Sequence, residues 1–195
     1  WMLSNLDFLE FHFVPITGLL APSIGNLTNL WHLAIVGTEM GGDLPMEIWT
    51  LSNLSGLYLR YNNFTGQIPS DIGNLLDLGM IVLHDNQFSG TLPPEIFSLP
   101  LNNNSFYVSN NHFEGTIPDE VCNYDLNWSV EYSEWEPAHG QWDGTYLLYS
   151  SLVNNNFCPP YPECVQDYIG EQETSECPPL IYGCMDEEAC NYDPE

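Results

Sequence analysis

The first half of the chain repeats one pattern of residues at a step of 24 positions. Glycine, leucine and isoleucine each recur at this step: Gly18, Gly42, Gly66 and Gly90; Leu27, Leu51, Leu75 and Leu99; Ile24, Ile48, Ile72 and Ile96. Repeats of roughly 20 to 50 residues are typical of solenoids, in which each unit buries its apolar side chains only against its neighbours. The sequence therefore predicts stacked layers with an extended surface, and not a globule with a central pocket.

One period shows what each position does. Residues 51–74 read Leu-x-x-Leu-x-x-Leu-x-Leu-x-x-Asn-x-Phe-x-Gly-x-Ile-Pro-x-x-Ile-Gly-Asn. Leu57 and Leu59 alternate with other residues at the period of two that a short strand requires. The asparagine after the strand recurs, and its amide suits backbone groups that a sheet leaves unpaired. Proline recurs where a short convex segment would begin.

This motif resembles the plant-type leucine-rich repeat, found in plant receptor-kinase ectodomains and polygalacturonase-inhibiting proteins. The resemblance covers about residues 3–122 and returns near residues 147–165. It implies an α/β-type repeat solenoid of right-handed turn. A short parallel β-sheet would line the concave face, the convex side would be irregular or 3-10 helical, and a Cys-rich irregular tail would follow.

The period divides the chain into four parts. Residues 1–122 hold about five repeats, and no capping segment precedes Leu3, so we expect a lost N-terminal cap or a surface covered by another protein. Residues 123–146 form an acidic insertion with Trp128, Trp135 and Trp142, which is either a binding face or a flap over the last core layer. Residues 147–166 form a final modified repeat and cap, and residues 167–195 an acidic Cys-rich tail.

The charge of the chain excludes several functions. Arg60 is the one basic residue against 27 acidic ones, for a net charge of -26. Phosphate backbones need Lys and Arg, so we expect no nucleic-acid partner. No run of apolar residues is long enough for a transmembrane segment. No lysine and no nucleophile motif occur, and a short solenoid offers no cleft for a pair of catalytic carboxylates, so we expect no enzyme.

Cysteines and sequons indicate an extracellular or cell-surface location. Six cysteines lie in the last part of the chain, an arrangement typical of disulfide stapling in an oxidising compartment: Cys122, Cys158, Cys164, Cys177, Cys184 and Cys190. Sequence does not choose among their pairings. Five N-x-S/T sequons predict glycosylation, with chance occurrence as the alternative: Asn26, Asn53, Asn63, Asn103 and Asn127.

The tail resembles a short Cys-containing module of secreted microbial and algal proteins. The resemblance rests on the string Gly-Cys-Met-Asp-Glu-Glu-Ala-Cys-Asn-Tyr-Asp-Pro at residues 183–194. Its carboxylates are oxygen ligands that suit calcium, with a solvated acidic linker as the alternative: Asp186, Glu187, Glu188 and Asp193. No other cofactor is expected.

The concave face is the candidate binding surface. The alternation places aromatic and apolar residues there together with the single positive charge: His32, Tyr58, Arg60, Val82, His84 and Tyr107. Tyrosine combines a flat apolar ring with a hydroxyl and is a frequent contact residue. A protein or glycan partner would suit such a surface, although these side chains could equally be inert.

Two classes of function follow. In the first, the chain is a secreted, non-catalytic glycoprotein that recognises an extracellular protein or glycan through the concave face and the insertion. In the second, it is a structural subunit of an extracellular filament or surface assembly, and self-associates end to end through its solenoid. The family's frequent use of this fold for recognition favours the first.

Overall fold

The computed structural model describes residues 5–101, 105–124, 126–129 and 150–178. Eleven short strands occur within these ranges: β1 Phe8–His12, β2 Thr17–Leu19, β3 His32–Val36, β4 Glu39–Asp43, β5 Gly56–Tyr58, β6 Asn63–Thr65, β7 Met80–Val82, β8 Ser89–Gly90, β9 Phe106–Tyr107, β10 His112–Gly115 and β11 Asn156–Phe157. Each repeat contributes one layer of the solenoid, with a strand followed by a turn and a second short strand.

The first strands of successive repeats form one parallel sheet in the order β1-β3-β5-β7-β9. The register follows the repeat: Phe8 pairs with His32, His32 with Gly56, and Gly56 with Met80. A bridge from Tyr107 to Ser151 adds the final repeat to this sheet. The predicted parallel sheet is thereby confirmed, and equivalent residues of neighbouring layers lie side by side.

The second strands form two shorter parallel sheets, β2-β4-β6 and β8-β10-β11. The amides of Gln87 and Ser89 donate to the carbonyls of Phe64 and Gly66, both at 2.8 Å, and connect the two sheets. The glycine column lies here with φ of +73° to +80° at Gly42, Gly66 and Gly90. Side chains are strained in this left-handed region, which explains why the repeat keeps glycine at this position.

The opposite side of each layer is a five-residue 3-10 helix: Pro22–Asn26, Met46–Thr50, Ser70–Asn74, Pro94–Ser98 and Asp119–Asn123. Pro45, Pro69, Pro93 and Pro118 occupy the N-cap positions of the last four. The predicted irregular or 3-10 convex side is thereby confirmed, since the helices of the described residues are all 3-10. A layer of 24 residues leaves room for little more than one such turn.

The core is a continuous column between the sheet and the 3-10 helices. Its centre is a stack of fully buried phenylalanines, with ring centroids 6.3 Å apart for Phe64 and Phe88, 6.2 Å for Phe88 and Phe113, and 6.4 Å for Phe113 and Phe157. Interplanar angles of 14°, 13° and 2° make the rings nearly parallel. Each layer therefore packs directly on the next, as a solenoid requires.

Asparagine side chains connect the layers in what we call the asparagine ladder: Asn62, Asn86, Asn111 and Asn155. Each Oδ1 accepts a backbone N–H of the preceding layer at 3.0–3.1 Å, from Thr38, Phe64, Phe88 and Phe113 in turn. Each Nδ2 donates to two carbonyls of its own layer and one of the preceding layer. For Asn86 these are Leu83 at 3.0 Å and His84 at 3.4 Å, and Leu59 at 2.8 Å. Buried backbone groups are thereby satisfied without a sheet.

The C-terminal end of the solenoid is closed by residues 158–178. Disulfides join Cys122 to Cys164 and Cys158 to Cys177. Gln172 continues the asparagine ladder: its Oε1 accepts the N–H of Phe157 at 3.1 Å, and its Nε2 donates to the carbonyls of Leu152 and Ile169. The capping element therefore continues past residue 166, where the sequence pattern placed its end.

The first layer is open by contrast. Phe11 lies at the core position that Ile35 occupies in the second layer, yet it is 37% exposed whereas Ile35 is 1% exposed. Phe13, Val14 and Leu19 are exposed as well. The two ends of the described solenoid thus differ, with a large apolar area on the first layer and a stapled cap on the last.

Candidate functional site

The outward residues of the five-stranded sheet form the surface that we call the sheet face. The register sets its columns: Phe8, His32, Gly56 and Met80; Glu10, Ala34, Tyr58, Val82 and Tyr107; and His12 with Val36. Val82 and Tyr107 are absent from the main core cluster, which takes the alternate residues Ile81 and Phe106. The strand register thus places His32, Tyr58, Val82 and Tyr107 on one face of one sheet, and Arg60 and His84 follow the ends of β5 and β7.

These residues differ in how much solvent reaches them. Tyr58 and Arg60 are half-buried. His32, Val82, His84 and Tyr107 are buried, with exposures of 8%, 0%, 3% and 5%. Tyr58 and Arg60 can therefore contact a ligand directly in this conformation, whereas the other four side chains are buried. Their role in binding stays a prediction.

Aromatic rings follow one another across β1, β3 and β5. The rings of Phe8 and His32 are stacked at 4.4 Å, and those of His32 and Tyr58 are tilted at 4.8 Å. Trp31 lies beside them, with its ring 5.5 Å from Phe8 and 5.4 Å from His32. We call Phe8, Trp31, His32 and Tyr58 the aromatic patch.

Gly56 leaves the space that the Tyr58 ring occupies in the aromatic patch. A Cβ added at Gly56 would lie 2.7 Å from Cε2 of Tyr58 and 3.5 Å from Nδ1 of His32. Since a carbon atom cannot approach a ring that closely, any side chain at this position would displace Tyr58. The missing Cβ in the third layer allows the tyrosine ring to lie over the strand toward His32.

A carboxylate lies between two imidazoles next to the aromatic patch. Glu10 is 2.9 Å from Nε2 of His32 and 3.4 Å from Nε2 of His12. Burial lowers the pKa of both histidines, and the Glu10 charge opposes that change. Burial therefore favours the uncharged form of both imidazole rings.

A second polar group surrounds His84. Its Nδ1 lies 2.6 Å from Oδ2 of Asp85, whose Oδ1 accepts from Nδ2 of Asn110 at 2.8 Å. The side chain of Asn154 in turn donates to Asn110. Burial lowers the pKa of His84, the Asp85 carboxylate opposes this shift, and Arg60 adds to it. The lowered pKa favours the uncharged imidazole, which lies beside the rings of Tyr61 and Tyr107.

Other predicted residues lie away from the sheet face or outside the described ranges. Trp128 is buried, with its ring edge-on to Phe106 at 6.5 Å, so it packs on the last core layers. Asn26, Asn53, Asn63 and Asn127 are exposed. Trp135, Trp142, Asn103, Cys184, Cys190 and the candidate calcium ligands Asp186, Glu187, Glu188 and Asp193 lie outside the described residues. In the part of the chain that is described, no three His, Cys, Asp or Glu side chains are grouped to hold a metal ion.

The patch contains residues that the pattern did not single out as contacts. Trp31 precedes β3 and is 45% exposed, and Phe8 is 40% exposed. The signal available in the sequence was the position of Trp31 directly before an outward histidine on a strand.

No helix among the described residues has the length and apolar character that crossing a membrane demands.

Comparisons with known proteins find a matching repeat family and structures of similar fold. The leucine-rich repeat family profile matches residues 53–75 and 102–124. A search of characterised proteins found no match for the sequence. Solved structures do match, and those reported below are ectodomains of plant receptors from Arabidopsis thaliana.

Two of these structures contain ligands. The HAESA ectodomain, in complex with an N-terminally extended IDA peptide hormone, has a TM-score of 0.66 and 26% identity over 80% of this chain and 22% of that chain. The GASSHO1/SCHENGEN3 ectodomain, in complex with CASPARIAN STRIP INTEGRITY FACTOR 2, has a TM-score of 0.62 and 25% identity over 79% of this chain and 16% of that one. The chain thus spans about a fifth of their length.

The ectodomain of the receptor kinase SOBIR1 is nearer in size. It matches with a TM-score of 0.55 and 31% identity over 60% of this chain and 67% of that chain. Such ectodomains are binding scaffolds. The matched repeats, the parallel sheet and the 3-10 turns together show that the chain has the leucine-rich-repeat fold, the fold of these plant receptor ectodomains.

Proposed function

We propose that this chain recognises an extracellular peptide or protein through the sheet face. The observation that carries the proposal is the set of adjacent aromatic rings on one face of a parallel sheet, in which His32 contacts both Phe8 and Tyr58, with Tyr58 and Arg60 half-exposed. Structures with the same fold contain a peptide hormone in one case and a named factor in another. Both lines of support point to recognition.

The sheet face suits an extended ligand. Strands in adjacent layers lie about 4.8 Å apart, so a ligand that crosses them contacts one side chain from each layer. The hydrogen-bonded layers hold those side chains in place before binding, and a preorganised surface loses less entropy when the ligand docks. Peptide recognition on this face therefore needs no rearrangement of the solenoid.

An extracellular location agrees with this role. The disulfides Cys122–Cys164 and Cys158–Cys177 form and persist in oxidising compartments. The exposed sequons at Asn26, Asn53, Asn63 and Asn127 are accessible for glycosylation in such a compartment. We therefore include secretion and glycosylation in the proposal. A loss of mass when the secreted protein is treated with a glycosidase would test both.

Photo-crosslinking tests the proposal directly. A photoreactive phenylalanine placed at Tyr58 should capture peptides from extracellular fluid, and mass spectrometry should map the crosslink to the sheet face. The matched control carries the same residue at Tyr168, which is 43% exposed on the cap. Arg60→Gln should reduce capture at position 58. Equal capture at positions 58 and 168, insensitive to Arg60→Gln, would contradict recognition by this face.

A structural role is the second candidate, and the apolar side chains exposed on the first described layer favour it. Phe11, Phe13 and Leu19 expose apolar surface at one end of the stack, and exposed patches of this kind often mark interfaces. End-to-end packing into a filament would cover them. Sedimentation velocity and negative-stain microscopy, with and without calcium, should then show regular polymers that Phe11→Ser disrupts; a monomer at all concentrations argues against it.

A further inference from the structure

The aromatic patch offers apolar surface in a defined shape. Phe8 and Trp31 expose 40% and 45% of their surface. Their rings are 5.5 Å apart and tilted by 53°, so they form a corner and not a flat plate. An apolar side chain that enters this corner would remove surface of both rings from water, which is the main source of affinity in such contacts.

The stacking of rings within the aromatic patch disfavours sugar ligands. Phe8 and His32 lie 4.4 Å apart at 14°, so each ring already covers one flat side of the other. Sugar rings bind aromatic side chains mainly through open flat sides, and fewer of these remain in the patch. The corner between Phe8 and Trp31 instead accepts a side chain inserted between the rings.

Charge points to a basic ligand. Glu10 lies next to the patch, with its carboxylate 2.9 Å from Nε2 of His32 and 3.4 Å from Nε2 of His12. The chain as a whole carries 27 acidic residues against Arg60, so its field attracts cations and repels anions over the length of a peptide. A ligand that combines positive charge with an apolar side chain satisfies both features.

We infer that the aromatic patch and Glu10 form a docking site for a basic peptide segment in which a large apolar side chain adjoins Lys or Arg. The apolar side chain occupies the corner of Phe8 and Trp31, and the cationic side chain pairs with the Glu10 carboxylate. This inference rests on the proposed function, because it assigns the chemistry of the peptide that the sheet face recognises.

Three acetylated and amidated tripeptides provide the probes: Lys-Trp-Lys, Glu-Trp-Glu and Lys-Ala-Lys. Titration of the isotope-labelled full chain, followed by amide chemical shifts, should show Lys-Trp-Lys binding at least tenfold more tightly than either other peptide. The largest shifts should fall on residues 7–12 and 31–34. Raising the salt concentration from 50 mM to 500 mM should weaken binding severalfold, because exposed charge pairs are screened.

Variants separate the two components of the site. Trp31→Ala should weaken Lys-Trp-Lys about tenfold by removing one side of the corner. Glu10→Gln keeps the shape of the side chain and should weaken it about threefold to fivefold while reducing the salt dependence. The controls Tyr168→Ala and Asp71→Asn remove an exposed ring and an exposed charge elsewhere, and should leave the affinity unchanged.

The outcomes are distinct. Equal or tighter binding of Glu-Trp-Glu, no binding of Lys-Trp-Lys, or tighter binding of a neutral oligosaccharide such as cellohexaose would overturn the inference. Shifts confined to the open end around Phe11, with self-association on titration, would overturn it as well. If the crosslinker at Tyr58 still captures a natural peptide in any of these cases, the proposed function stands and only the basic, aromatic-anchored ligand is rejected.

Discussion

Gln172 closes the asparagine ladder, and its removal should loosen the C-terminal cap. Its side chain makes three hydrogen bonds: from the N–H of Phe157 at 3.1 Å, and to the carbonyls of Leu152 at 3.2 Å and Ile169 at 2.7 Å. A hydrogen bond within a protein contributes about 1 kcal/mol net. Since Gln172 is only half-buried, water replaces part of this, and we expect Gln172→Ala to cost about 2 kcal/mol.

Hydrogen exchange of individual backbone amides measures the free-energy cost of Gln172→Ala at the cap itself. A loss of about 2 kcal/mol should speed exchange of the Phe157 amide about thirtyfold. Amides of the first four layers, such as that of Phe64, should keep their rates because their ladder partners are intact. The Cys158–Cys177 disulfide tethers the cap in both proteins, so the difference reports the side-chain amide and not release of the segment.

Glu171→Ala is the matched control. Glu171 is exposed, and its backbone carbonyl, which accepts from the N–H of Asn154, is unchanged by the substitution. Exchange at Phe157 should therefore stay at the wild-type rate. The assignment of Gln172 to the ladder fails if Gln172→Ala also leaves Phe157 unchanged, or if Glu171→Ala has the same effect.

Three further predictions concern stability. Burial lowers the folded-state pKa of His84 below the ordinary 6.5, so the unfolded chain binds a proton more readily than the folded chain. The free energy of unfolding should therefore decline as the pH falls below 6.5. The difference between the urea midpoints at pH 7 and pH 5.5 should be smaller in His84→Gln than in the wild type. Replacing both Cys122 and Cys164 by serine opens a loop with a sequence separation of 42 and should cost about 4 kcal/mol, seen as a lower denaturant midpoint under oxidising conditions. Phe88→Ala should cost about 3–5 kcal/mol in denaturant unfolding, whereas Leu76→Ala, at a side chain 73% exposed, should stay within about 0.5 kcal/mol.

The fold could be predicted because the layers from the third onward obey the same local rule. Leucine alternation defines the strand, the asparagine satisfies the turn, and glycine adopts the left-handed backbone that follows, so residue type alone sets the register. Gln172 could not be predicted in the same way. It lies 17 positions after Asn155 rather than 24, and carries one more methylene to reach the same carbonyls.

The candidate site was predictable in position but not in exposure. Alternation placed Tyr58 and Val82 on the outward face, and the strand register pairs these two residues. Burial depends instead on which side chains become neighbours across strands about 4.8 Å apart. The contact of Phe8 with His32, and the space that Gly56 leaves for Tyr58, arise between layers and follow from no single repeat.

The direction of the asparagine ladder gives the molecule a polarity. Each Oδ1 accepts an N–H of the layer before it, so that N–H is satisfied only by the layer that comes after. Shortening the stack from its C-terminal side would orphan one such N–H at each of these cuts, whereas removing the first layer orphans none of them. Chimeras that exchange layers should therefore tolerate new beginnings far better than new endings, unless the segment bearing Gln172 travels with the final repeat.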